Sequence, residues 1–451
     1  MKINMIRLFL LICLVAPGRN ADAQWSTGSL GMSAKVDLAG GVSGNTVLFA
    51  GGRGLGSNPV ATASLFDNAS GTWTLNMSIS QNRCELAGAG AGNNILFAGG
   101  INNWLASISD RVDIFTVFPL PVTQQTATLS APRSRLAGAS AGNKVVFAGG
   151  HNPFGGTASD VVDIYDVVSL SWTTATLSAP RFGLCGAGAG NKIVFAGGTD
   201  TAGIPTNVVD IYDIVSGTWT TAALSEARTN LAAIGLGGKI YIGGGATMSG
   251  FSKRVDIYDT VTDTWSIDSL SQAREYLSAG AVSNLVMFAG GFGPINTPPS
   301  YVVDILDTIT GSWTIDSLSV QRGQMASVST GNRILFGGGA NVHNSGSSGI
   351  TSLVDIYTLL SSGINELSID DFIVYPNPSS SYVTIENIIP SGKTLEIAIF
   401  NSEGRKVVST KMEPGIPHAK ISVSSLSNGM YFYKISDDEM EIKTGKFTIA
   451  K

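Results

Sequence analysis

Between residues 25 and 358 short apolar runs alternate with turns rich in glycine, asparagine and serine. The runs are too short for helices and carry β-branched and aromatic residues, so they predict short strands. The pattern repeats. An apolar residue, a small residue and two glycines recur as Phe49-Ala50-Gly51-Gly52, with later pairs ending at Gly100, Gly150, Gly198, Gly245, Gly291 and Gly339. A basic residue stands 17 positions before each: Lys35, Arg83, Arg133, Arg181, Arg228, Arg274 and Arg322. After each glycine pair comes a run of the type Val162-Asp163-Ile164-Tyr165. In most copies six residues then separate its aromatic from a tryptophan, as in Tyr165/Trp172, Tyr212/Trp219 and Tyr258/Trp265. Gln124 stands where the second copy should have its tryptophan. Each copy reads as four strands, in the fourth over 184–189, 192–196, 208–212 and 218–222. Repeats of this length signal a solenoid or a propeller.

These residues resemble the kelch repeat, whose hallmark is a double glycine followed by a tyrosine, six residues and a tryptophan. Seven copies imply an all-β fold with a seven-bladed β-propeller over 24–360. The seventh copy ends at Tyr357 without a tryptophan strand, while Trp25 precedes Lys35 as Trp73 precedes Arg83. Residues 25–30 are therefore expected to complete the last blade, closing the ring and hiding its edge.

Both ends of the chain carry other signals. Lys2 and Arg7, an apolar run over 8–16, and Ala21-Asp22-Ala23 describe a secretory signal peptide over 1–23. Beyond a linker at 361–368, charged residues become denser. Alternating segments at 382–386, 395–400, 419–423, 430–435 and 445–449 predict a small Ig-like antiparallel β-sandwich over 369–451. Tyr375-Pro376-Asn377-Pro378, the run from Ile399 to Arg405, Leu426-Ser427-Asn428-Gly429-Met430-Tyr431 and Lys443-Thr444-Gly445-Lys446-Phe447 resemble the type-A C-terminal sorting domain of the type IX secretion system of Bacteroidetes-type bacteria. That resemblance implies a route through the periplasm and across the outer membrane, with the secretion machinery and a sortase-like protease as partners of 369–451. The protein is then secreted or held at the outer-membrane surface. Asp-Ser/Thr-apolar triplets at Asp200, Asp259, Asp268, Asp307 and Asp316 resemble the O-glycosylation acceptor pattern of the same bacteria.

Composition narrows the chemistry. The net charge is −5 and charged residues make up 14% of the chain, which excludes a phosphate-tracking nucleic-acid binder. No segment reaches membrane-spanning helical length. The 3 His and 3 Cys are scattered, so neither a metal centre nor a cofactor is expected. A basic residue recurring in every copy, with Asp163, Asp210, Asp256 and their equivalents in the third strands, points to structural pairing. Function is expected where the copies differ. Two residues after each basic position stand Asp37, Glu85, Arg135, Gly183, Asn230, Tyr276 and Gln324. Strand alternation puts them on the basic residue's own side, near the channel mouth. The loops after the glycine pairs add Trp104, His151, Phe154, Phe251, Phe292, Tyr301 and His343. Trp104, Arg135, Tyr276, Glu85, Asn230 and Gln324 are thus the candidate ligand-binding set, suited to a glycan or protein ligand. A binding protein is the favoured reading. The alternative is a carbohydrate-active propeller enzyme, sialic-acid mutarotase-like or lyase-like, to be recognised by carboxylate, arginine and histidine converging at the mouth.

Overall fold

The structure is a computed structural model. It describes residues 23–31, 34–54, 56, 58–103, 107–118, 120–294, 297–342, 349–360, 372–375, 377–387, 394–401, 404–414, 416, 418–436 and 441–451. The expected signal peptide, apart from Ala23, and the expected linker lie outside them, as do Trp104 and His343. Two compact units result, one over Ala23–Leu359 and one that includes Leu360–Lys451.

The first unit holds seven four-stranded antiparallel sheets. The fourth blade comprises Cys185–Ala189, Lys192–Ala196, Val208–Asp213 and Thr218–Ala223 in that order. In the last blade Ala326–Thr330, Arg333–Gly337 and Leu353–Leu359 are joined by the N-terminal strand Ala23–Ser29. Trp25 there lies opposite Tyr357, as Trp172 lies opposite Tyr165 and Trp219 opposite Tyr212. The chain therefore closes its own ring.

The core lies between blades. At the junction of blades 3 and 4, Val146, Val162 and Ile164 meet Ile193, Phe195 and Tyr212, with Trp219 covering the outer edge. The indole and the tyrosine ring are 4.8 Å apart. The glycine pair docks one blade on the next. Gly150 donates its N–H to the Arg181 carbonyl at 2.8 Å, and all seven blades repeat this bond, down to Gly339 onto Lys35. Gly149 has φ 66°, and a Cβ there would come within 2.6 Å of the same carbonyl. No other residue type fits.

The basic residues are buried, and six of them pair inside their own blade. Arg83, Arg133, Arg181, Arg228, Arg274 and Arg322 meet Asp113, Asp163, Asp210, Asp256, Asp304 and Asp355. The other oxygen of each aspartate accepts an N–H from the segment entering that blade, as Asp210 does from Ser178 at 2.9 Å. Blade 1 differs as a unit. Lys35 donates to the Thr62 carbonyl and Ser64, in the aspartate's place, donates to the Leu30 carbonyl, both at 2.9 Å.

In the C-terminal unit, Phe372–Tyr375, Tyr382–Asn387 and His418–Ser422 form one sheet. Lys406–Met412, Leu395–Phe400, Gly429–Ser436 and Glu441–Ile449 form another. Val383, Ile385, Ile397, Ile399, Tyr433 and Ile435 are buried in its core. The strands Phe372–Tyr375 and Lys406–Met412 are additional to the five expected.

Candidate functional site at the channel mouth

The expectation that the variable residues share the basic residue's side of the inner strand is corrected by the structure. The basic residue precedes the inner strand, and its side chain is sealed inside the blade. Two residues on, the backbone enters the left-handed region: φ is 51–56° at Asp37, Glu85, Arg135, Asn230, Tyr276 and Gln324, and 62° at Gly183. That step breaks strand alternation and turns these side chains into the channel while the arginines stay buried. A left-handed residue other than glycine costs about 1–2 kcal/mol. Here it is held by main-chain bonds between blades: each residue from Glu85 to Gln324 donates its N–H to the carbonyl of its counterpart one blade back, at 2.9–3.1 Å.

The seven residues and the leucine or methionine after each line a cavity of about 230 Å³. Its polar wall is asymmetric. Asp37 and Glu85 are neighbours on one side, where the Arg53 guanidinium holds Asp37. Arg135 crosses the space left empty by Gly183, where a Cβ would lie 3.4 Å from its guanidinium. It donates to Asn230 Oδ1 at 2.8 Å and to the Tyr276 hydroxyl at 3.0 Å. Asn230 in turn donates to Glu275 at 2.7 Å. Below the guanidinium lies the Phe182 ring, 5.2 Å away, stacked on His151 at 4.4 Å.

This setting shifts the titrating groups. Burial, with the Asp37 charge beside it, pushes Glu85 up to about 7. Burial also raises Asp37, against the pull of Arg53 and Arg135. Burial raises the Tyr276 hydroxyl, again opposed by Arg135. His151 is lowered by burial and lies outside the cavity lining, behind Phe182. The mouth thus offers an acidic side whose protonation changes near neutrality, a fixed cation, a phenol and two amides.

Of the candidate set, Glu85, Arg135, Asn230, Tyr276 and Gln324 come together here. Trp104 lies outside the described residues. Among the loop aromatics Phe292 is buried against Tyr276, whereas Phe154 and Tyr301 are exposed. Sequence reasoning missed Arg53, Phe182 and Glu275, each adjacent to a repeat landmark at a position that varies between copies. Cys84 and Cys185 are free and buried. In the O-glycosylation-like triplets, Thr260 and Thr308 donate to backbone carbonyls at 2.7 and 2.9 Å, while Thr201, Ser269 and Ser317 are exposed.

Strand order, glycine docking and the closing N-terminal strand define a seven-bladed β-propeller followed by a β-sandwich module. Residues 136–339 match the KLHDC2/KLHL20/DRC7 Kelch-repeats domain, and residues 373–450 match the secretion system C-terminal sorting domain. The chain is a kelch-repeat propeller carrying a type IX secretion sorting domain. A solved structure titled "Structure of YjhT" shares the fold with a TM-score of 0.50 and 17% identity, covering 64% of this chain and 99% of that one. No curated protein shows significant similarity to the chain.

Proposed function

We propose that this protein binds a glycan at the channel mouth of its propeller, on a body exported to the medium or held at the cell surface. The observation that carries this reading is the convergence of Asp37, Glu85, Arg135, Asn230, Tyr276 and Gln324 on one cavity of about 230 Å³. A cavity of that size suits a single sugar ring, not a folded partner. Carboxylates, amides and a guanidinium are the groups that bond a ring's hydroxyls and acidic substituents. The sorting domain supports export. The route proposed passes through the periplasm and across the outer membrane, with a sortase-like protease removing 369–451.

One observation favours the second reading, a carbohydrate-active enzyme. Carboxylate and arginine do converge, and Glu85 is poised near neutrality beside Arg135 and Tyr276. Such a carboxyl can donate and recover a proton on a bound sugar. His151 lies behind Phe182, outside the cavity lining.

A glycan-array screen followed by titration tests the proposal. Arg135→Ala and Tyr276→Ala should each weaken the best sugar by about 1–3 kcal/mol. Unchanged affinity in both would remove the mouth as the binding site. NMR exchange between anomers, accelerated by wild type and lost in Glu85→Gln, would favour the enzyme reading instead. For the export reading, a chain lacking 369–451 should accumulate in the periplasm of the native host. Normal levels in the medium would refute it.

A further inference from the structure

The seam between blades 1 and 2 is unlike the others, at the side of the propeller far from the channel mouth. In six blades a tryptophan faces the preceding blade: Trp25, Trp73, Trp172, Trp219, Trp265 and Trp313. Trp172 packs in this way into the core between blades 2 and 3. In blade 2 the register places Gln124 opposite Phe115, where the indole would stand. Gln124 turns to Asp113, donating to its Oδ1 at 2.7 Å.

Two further departures meet at the same seam. The outer strand of blade 1 is bulged, with a register shift between Ala63 and Leu65 and Asn76 at φ 73°. The turn glycine of the inner hairpin is also uncovered. A Cβ on Gly92, Gly142, Gly190 or Gly331 would touch Val167, Ile214, Thr260 or Asn68 of the next blade, but one on Gly44, as on Gly237 of blade 5, would meet nothing within 4 Å. At this seam lies a cavity of about 700 Å³. Leu65, Met77, Val117 and Val122 form its apolar wall, and Phe118 and Leu120, 65% and 76% exposed, stand at its lip. The Asp67 carboxylate is the one charged group lining it among the described residues. The Ser70 hydroxyl and the Ala69 N–H bond to that carboxylate and hold it below the usual range, so it is ionised at neutral pH.

We propose that this cavity is a second binding site, taking an aromatic amine whose indole-sized ring fills the place of the missing tryptophan and whose ammonium faces Asp67. Ring size follows from the indole that fills the same register in the other six blades. Charge follows from a lining that holds a carboxylate and no described basic group.

Titration calorimetry on the full chain with tryptamine as the probe tests this, with indole-3-acetate as the anionic control. Tryptamine should bind at least tenfold more tightly than indole-3-acetate. Gln124→Trp, which restores the repeat residue, should weaken tryptamine at least tenfold. Thr74→Trp fills the cavity from the exposed outer strand of blade 1 and should do the same, which keeps the test open if the first variant folds poorly. No tryptamine binding at millimolar concentration, equal binding of the anionic control, or unchanged affinity in a folded filling variant would each overturn the proposal.

Discussion

Replacing Arg181 by alanine probes what holds each blade together. The side chain is fully buried. One guanidinium nitrogen meets Asp210; the other donates to the carbonyls of Gly197 at 3.1 Å and Val208 at 2.5 Å. Removing it leaves the Asp210 carboxyl in a sealed interior with one remaining bond, from the Ser178 N–H. Breaking a buried pair by removing one partner costs about 3–5 kcal/mol. For a body of roughly 340 residues, unfolding entropy is about 2.1 cal/mol/K per residue, so the melting temperature should fall by about 4–7 °C. Arg135→Ala is the matched control, since it lines the mouth and is only partly buried; its melting temperature should move by no more than about 1–2 °C. Differential scanning calorimetry on both variants decides. A melting temperature for Arg181→Ala within 1 °C of wild type, or an equal fall for Arg135→Ala, would refute the division between scaffold arginines and mouth residues.

Blade 1 permits a double-mutant cycle. Lys35→Arg should destabilise because Ser64 offers no carboxylate, Ser64→Asp beside Lys35 tests the converse, and the double variant should recover most of the loss; additive effects in urea denaturation would contradict this. Stability should also carry the signature of Glu85. The folded chain keeps its proton to about pH 7 while the unfolded chain releases it near 4.5, so its contribution falls as pH rises across that window. Glu85→Gln should flatten that slope in chemical denaturation between pH 4.5 and 8, and an unchanged slope would exclude the assignment. Deleting residues 24–30 should lower the melting temperature of the propeller, because Trp25 packs 5.0 Å from Tyr357 and its strand covers Leu353–Leu359 along its whole length. Truncating a fully buried tryptophan costs about 3–5 kcal/mol and Trp25 is partly buried, so the loss should reach a sizeable fraction of that, and an unchanged melting temperature would refute closure by this strand.

Much of the scaffold was legible because its physics repeats. In the fourth copy the four expected segments agree with the observed strands to within one residue at either end. The repeated glycines and tryptophans owe this to fixed demands, a left-handed docking turn and an inter-blade cover. The N-terminal closing strand was legible for the same reason, since Trp25 keeps the spacing to Lys35 that Trp73 keeps to Arg83. What failed was the side-chain direction at the mouth. Four of its seven left-handed positions, Glu85, Arg135, Tyr276 and Gln324, carry side chains that ordinarily avoid that conformation, so only Gly183, Asp37 and Asn230 hinted at the turn. Phe182 was invisible because its role depends on neighbours in another blade, and Arg53 because its partner Asp37 stands sixteen residues earlier. Lys406–Met412 was missed because the adjacent Val407-Val408 breaks its alternation, where the pairing with Leu395–Phe400 shifts register.

The mouth residues can vary because their positions do not depend on their side chains. Each backbone there is fixed from behind by the buried basic residue two positions earlier and from the side by a main-chain bond to the neighbouring blade. Neither restraint reads side-chain identity beyond tolerance of a left-handed φ. The ring can therefore place a carboxylate, a guanidinium, an amide, a phenol or nothing at each of seven stations without altering the scaffold. Gly183 shows the use of nothing: its missing side chain is the gap that lets Arg135 reach Asn230 and Tyr276 across the channel. A symmetric frame with symmetry-breaking stations is what a ligand lacking sevenfold symmetry requires, and the conserved arithmetic of the repeat supplies the first while the left-handed step supplies the second.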